Sequence, residues 1–191
     1  MKPLALSTLS AFVLAAALPA GAQTATYAID PTHTFVTFEA MHFGTSTSRG
    51  RFDKKEGTVQ FNRAGKTGKV EISIDMASIS TGVGPFDAHL KGKDFFDVAT
   101  HPTAKFTADR LAFNGTNVSE VTGSLTLLGK TLPVVLKASR FNCYDNPILK
   151  REVCGGDFET TIQRSLWGST YGLPGIPDNI RLVVQVEAIK Q

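Results

Sequence analysis

Apolar side chains recur at every second position along most of this chain, and that period constrains its fold more than any other feature. Val36, Phe38, Ala40 and His42 share one face of a segment whose other face carries Thr37, Glu39 and Met41. The same period joins Val59 with Phe61, Val70 with Ile72 and Ile74, and Ala104 with Phe106 and Ala108. It returns in Val121, Gly123, Leu125 and Leu127, then in Leu132, Val134 and Leu136. Phe158, Thr160 and Ile162 follow, and Leu182, Val184, Val186 and Ala188 close the series. Alternation of this kind belongs to strands, because successive side chains leave opposite faces of a pleated backbone. About eight strands result. One helix interrupts them: Pro85 opens it, Gly92 ends it, and Phe86 and Leu90 lie four apart on one face. Asn114-Gly115 and Gly129-Lys130 read as two-residue hairpin turns, with longer loops at Asn62 to Gly68 and Gly82 to Pro85. The first and last strands are both long and alternating, so each left open would be a costly edge. Closure follows, and the expected fold is all-β: an eight-stranded antiparallel barrel with one short helix.

The N-terminus has a different character. Lys2 precedes an apolar run from Leu4 to Leu18, and Ala20-Gly21-Ala22 supplies small residues before Gln23. This is the pattern of a cleaved signal peptide, too short to span a membrane. Residues 1–22 are read as that signal and residues 23–191 as one domain exported to the periplasm. Such a domain is large enough to bury a core or to enclose a modest cavity. The net charge is +3, and removing Lys2 leaves +2. Lysines and carboxylates are interspersed, so no basic stripe supports nucleic-acid binding, and attraction to anionic lipid is weak at most. An oxidising compartment makes a Cys143–Cys154 disulfide the default, in a segment rich in turn formers. Their spacing matches neither a redox pair nor a zinc knuckle.

The inward face mixes large and small residues, with Phe38 beside Ala40 and Leu125 beside Gly123. A packed core uses that mixture to fill a taper, and a hollow barrel uses it to make room. Eight strands enclose an interior of the size at which both outcomes occur. The chain has 13 Phe against three Tyr and one Trp. Phe brings aromatic bulk without a polar group needing a partner, so a cavity lined by it would stay dry and accept hydrocarbon.

Several motifs run in a fixed order. They begin with Tyr27-Ala28-Ile29-Asp30-Pro31-Thr32-His33-Thr34 with Phe38 and His42, then Gly50-Arg51-Phe52 with Glu56-Gly57. Next comes Asp87-Ala88-His89-Leu90 with Asp94-Phe95-Phe96-Asp97 and Pro102. Gly123-Ser124-Leu125-Thr126-Leu127 with Gly129-Lys130-Thr131 follows, and Arg164 precedes Trp167-Gly168. Across nearly all of residues 23–191 the chain resembles the YceI-like family, extended lipocalin-like barrels of the periplasm that bind polyisoprenoids or similar long-chain lipids. The resemblance implies a tail pocket lined by Val36, Phe38, Ala40, Phe61, Ile72, Ile74, Phe95 and Phe96. Phe106, Leu125, Leu127, Val134, Leu136, Phe158 and Ile162 complete it. His42, His89 and Arg164 are the candidate head-group contacts. Many members carry an arginine where this chain has Phe86, which points to a less anionic or shorter ligand. The resemblance also leaves a homodimer and transient membrane contact open.

Chemistry-bearing residues are sparse. His33, His42, His89 and His101 match no metal-ligand spacing, so no metal or cofactor is expected. His42 reads either as a hydrogen-bonded interior residue or as a head-group contact. His89 reads as tied to a nearby carboxylate or as a residue of the pocket mouth. Asp94 and Asp97 read as turn residues. Arg164 falls on the inner phase and needs a partner, either an internal ion pair or a ligand head group. Ser165 and Ser169 lack a nucleophile elbow, and no phosphate loop is present. Three readings stand: a lipid carrier without covalent chemistry, a solid-core barrel acting through its surface as a dimeric interaction or stress-related module, and, weakest, an enzyme.

Overall fold

The structure, a computed structural model, describes residues 23–191, so the signal peptide expected over residues 1–22 lies outside the described residues. Its strands are β1 (Ala25–Ile29), β2 (Phe35–His42), β3 (Ser46–Phe52), β4 (Lys55–Asn62), β5 (Thr67–Asp75) and β6 (Ile79–Ser80). Helix α1 (Gly84–Lys91) follows, then β7 (Thr103–Asn114), β8 (Asn117–Leu127), β9 (Lys130–Asn146), β10 (Arg151–Gln163) and β11 (Asn179–Lys190). They form one antiparallel sheet that closes when β11 pairs back onto β1.

The eleven segments amount to eight strands, because three strands are each broken once. β11 pairs with β1 through Ala188–Lys190 and with β2 through Arg181–Gln185. β1 and β2 therefore occupy one slot in the ring. On their other side, β1 pairs with β4 and β2 with β3, and next along β4 pairs with β5 and β3 with β6. The breaks at residues 30–34, at Asp53-Lys54 and at a 3-10 turn (Met76–Ser78) thus lie side by side. Their backbone groups find partners across the gaps, as buried peptide groups must. Asp53 N donates to Ser78 O (3.1 Å), Asp75 N to Lys54 O (3.0 Å) and Asp30 N to Glu187 O (2.8 Å). Thr34 Oγ1 donates to Glu187 O and accepts from Glu187 N.

The alternating residues turn inward as the period requires: Phe38, Phe61, Ile72, Ile74, Phe106, Leu125, Val134, Phe158 and Ile162 are all buried. Small residues make room for the rings. Gly50 faces Phe38 across the β2–β3 pair, and a Cβ there would lie 2.4 Å from the ring. Helix α1 keeps the limits its sequence suggests, with Pro85 in the first turn and Gly92 N bonded to His89 O (3.0 Å). Asp97, at φ 40°, is a turn residue of the loop that follows.

Two local expectations need correction. The hairpin turns sit one residue away from the expected pairs: they are Gly115-Thr116, with Asn114 opposite Asn117, and Leu128-Gly129, with Leu127 opposite Lys130. Leu128 and Gly129 both have positive φ, 49° and 74°, which a two-residue turn between right-twisted strands requires. The cysteine-bearing segment is also mostly strand. β9 runs for 17 residues and β10 for 13, and Cys143 and Cys154 face each other in register. They are joined as a disulfide.

Candidate functional site

The barrel interior is hollow. The main cavity measures about 530 Å³, inside the roughly 300–1,000 Å³ range of small-molecule sites. β2 supplies Val36, Phe38 and Ala40 to its wall, and β5 with the adjoining 3-10 turn supplies Ile74 and Met76. Leu125 and Leu127 come from β8, Ile162 from β10, and Ile180 and Leu182 from β11. Phe86 and Leu90 of α1 cover it together with Phe95 and Phe96 from the next loop. Phe38, Phe52 and Phe96 form a ring cluster with centroids 5.7–6.2 Å apart, the spacing of edge-to-face and tilted pairs. A second, smaller void of about 80 Å³ has an apolar wall that includes Phe61, Ile72, Phe106, Leu136, Phe141 and Phe158. Tyr27 also lines it, with its hydroxyl donating to Glu152 (2.6 Å). Burial, and then that bond, hold the Tyr27 phenol well above its ordinary value.

The residues expected to line a tail pocket divide between the two voids. Val36, Phe38, Ala40, Ile74, Phe95, Phe96, Leu125, Leu127 and Ile162 line the large one. Phe61, Ile72, Phe106, Leu136 and Phe158 line the small one. Val134 is buried but borders neither. Phe52, Met76, Phe86 and Leu90 were not anticipated as lining. Phe52 precedes one strand break and Met76 lies within another, where the period stutters, and the other two belong to α1, whose one-sided apolar spacing was their signal.

Few polar groups reach the large cavity. His42, exposed at the end of β2, lies edge-on to Phe43 (4.8 Å). His89 packs edge-on against Phe95 (5.0 Å) and Tyr171 (5.7 Å) at the rim. The carboxylate expected beside His89 is engaged elsewhere: Asp87 accepts from Thr81 N (2.7 Å) and Thr81 Oγ1 (2.6 Å). Hydrogen bonds from Thr81 hold Asp87 below the ordinary carboxylate range.

Arg164 has backbone carbonyls where an internal ion pair was one of its two expected partners. Its guanidinium donates to the backbone carbonyls of Pro177 (3.0 Å), Ser169 (2.9 Å), Tyr171 (2.8 Å) and Ile176 (3.0 Å). The nearby Asp178 instead accepts from Ser165 N (2.8 Å) and Ser165 Oγ (2.7 Å). Burial lowers the Arg164 pKa, and Asp178 opposes that shift. At the far end, Cys143, Cys154 and Glu152 bring ligand-type atoms within 4.8 Å of one another, but the two sulfurs are bonded together.

Residues 27–188 match the YceI-like domain. A UPF0312 protein of Ectopseudomonas mendocina is 32% identical over 189 residues, covering 97% of this chain and 98% of the relative. One from Pseudomonas aeruginosa is 33% identical, with 96% and 98% covered. Among solved structures, Burkholderia cenocepacia BcnA superimposes with a TM-score of 0.69 at 25% identity, covering 83% of this chain and 98% of BcnA. A polyisoprenoid binding domain from Saccharophagus degradans superimposes with a TM-score of 0.61, covering 88% of this chain and 100% of that domain. At 17% identity it carries the fold alone. Motif order, ring closure and these matches agree, and the chain belongs to the YceI-like family.

Proposed function

We propose that this protein binds a polyisoprenoid or similar long-chain amphiphile non-covalently in the barrel and carries or sequesters it in the periplasm. The observation that carries the reading is the large void, whose wall is nearly all hydrocarbon. Each methylene moved from water into such a wall contributes about 0.8 kcal/mol, so a long chain binds tightly without an ionic anchor. That the neighbouring Saccharophagus degradans domain is described as polyisoprenoid binding supports the ligand class. No bond-making step is part of the reading.

Exchange with a bilayer belongs to the same proposal. Around the mouth, Phe43 is 68% exposed, and Met41, Val83 and Tyr171 are also exposed although large and apolar. A rim of that kind touches the acyl boundary while the ligand passes. Phe43→Ser is expected to slow lipid transfer from vesicles while leaving retention of bound lipid unchanged. Equal transfer rates would remove the rim from the proposal.

The deciding experiment is native mass spectrometry of protein purified from its own compartment, followed by solvent extraction. A stoichiometric prenyl or acyl species is expected. A mass without ligand that persists after incubation with polyprenols would overturn the reading in favour of a barrel acting through its surface.

A further inference from the structure

We infer that the large cavity selects a ligand whose head is uncharged, offering a hydroxyl or carbonyl oxygen, and discriminates against phosphate and carboxylate heads. The inference rests on the lipid-binding reading and narrows it.

Among the described residues lining the cavity, Arg164 is the single formal charge. It is 6% exposed. A guanidinium carries five N–H donors. Nε is taken by Pro177 O, Nη1 by Ser169 O with Ser169 Oγ at 3.4 Å, and Nη2 by Tyr171 O and Ile176 O. The cation is therefore spent on tying together the loop after the Arg164–Trp167 turn. An anionic head that recruited it would strip several carbonyls of their donor, and each buried group left unpaired is costly. The attraction is largely cancelled before an anion arrives.

The rest of the lining offers an anion little. Ser48, Ser169, His42 and His89 are its other polar side chains, all able to pair with a neutral oxygen. On α1, the residues that reach the cavity beside His89 are Phe86 and Leu90. A phosphate drawn in among these walls would lose its water without gaining a counter-charge, a far larger penalty than that of a hydroxyl able to bond one of the four.

The test is an equimolar competition between geranylgeraniol and geranylgeranyl phosphate, which share one tail. The two are incubated with the full mature chain and the bound fraction is read by native mass spectrometry. Working at about pH 8.5 keeps the assay above the range in which histidine titrates. Tenfold or greater preference for the alcohol is expected. Phe86→Arg, which adds a cation without carbonyl partners, should shrink or invert that ratio. Should this variant not fold, the wild-type ratio decides alone. Equal loading, or preference for the phosphate, would overturn the selectivity while leaving lipid binding intact. Loading by neither compound would overturn the lipid-binding reading and the selectivity with it.

Discussion

Arg164 is a buried cation neutralised by dipoles, and its worth lies in the carbonyls it would orphan if removed. Arg164→Met preserves much of the side-chain volume but leaves Ser169, Tyr171, Ile176 and Pro177 without a donor. A loss of about 2–4 kcal/mol is expected, read as a lower denaturation midpoint. Arg164→Lys should rescue little, because an ammonium cannot present the guanidinium fork to carbonyls on several sides; full rescue by lysine would show that charge alone matters. A second residue-scale consequence concerns Asp30 and His33, whose Oδ2 and Nδ1 lie 2.7 Å apart. Partial burial raises the Asp30 carboxyl, but hydrogen bonds from Thr32 and His33 outweigh it and hold the group at about 2. The hydrogen bond to Asp30 raises the exposed His33. The Asp30 contribution is present above the ordinary carboxylate pKa and fades as pH falls toward 2. The His33 contribution is complete below the ordinary histidine value and fades as pH rises through the raised one. The pair therefore contributes most between roughly pH 4 and 6.5. Asp30→Asn should lower the His33 midpoint in an NMR titration, and an unmoved midpoint would refute the coupling.

Among the elements, the β8–β9 hairpin and the Cys143–Cys154 rung make the sharpest claims. A turn with two positive φ values favours Asn-Gly, yet this chain places Leu128 at the first. Leu128 also lines the large cavity, so the strained choice has a use there. Leu128→Asn should raise stability by about 1 kcal/mol, because Asn tolerates the left-handed backbone, and weaken lipid retention. A variant that retained lipid as well as wild type would leave the strain without that explanation. The disulfide joins facing residues of β9 and β10, and closing an 11-residue separation is worth about 3 kcal/mol on the chain-entropy account. Reduction should lower the melting temperature accordingly, whereas two free thiols in freshly isolated protein would sink the assignment. These elements also show what a sequence discloses. Inward phase was readable at Phe38, Ile72, Phe106 and Ile162 because period two alone decides which face is buried. The breaks were not, since bonds such as Asp53 N to Ser78 O join segments distant in sequence. Nor does phase tell wall from packing: Val134 and Leu136 share a face, yet only Leu136 borders a void. Arg164 was legible as an inward residue needing partners, but its partners are carbonyls of a loop with no period to read.

At the scale of the whole molecule, the barrel closes around space rather than around a packed centre, and that links stability to occupancy. A ring with no free edge between β1 and β11 keeps its shape through the strand ladder. The Phe61 cluster and the disulfide consolidate one region, while the large cavity leaves the wall beneath α1 short of partner atoms. Filling that space should stabilise the folded state by mass action, by about 2.7 kcal/mol at a ligand concentration a hundred times Kd. The melting temperature is accordingly expected to rise with polyprenol concentration. Leu125→Trp separates this linkage from general stabilisation by hydrophobic additives. Leu125 lines the large cavity, and its carbonyl already anchors the Trp167 indole (3.1 Å) through the backbone, which the substitution keeps. An indole at position 125 should occupy the ligand's space, so the variant melts near the wild-type apo temperature, takes up little lipid and shows almost no ligand-dependent shift. A wild-type-sized shift in that variant would mean that lipid stabilises the protein from somewhere other than the barrel interior.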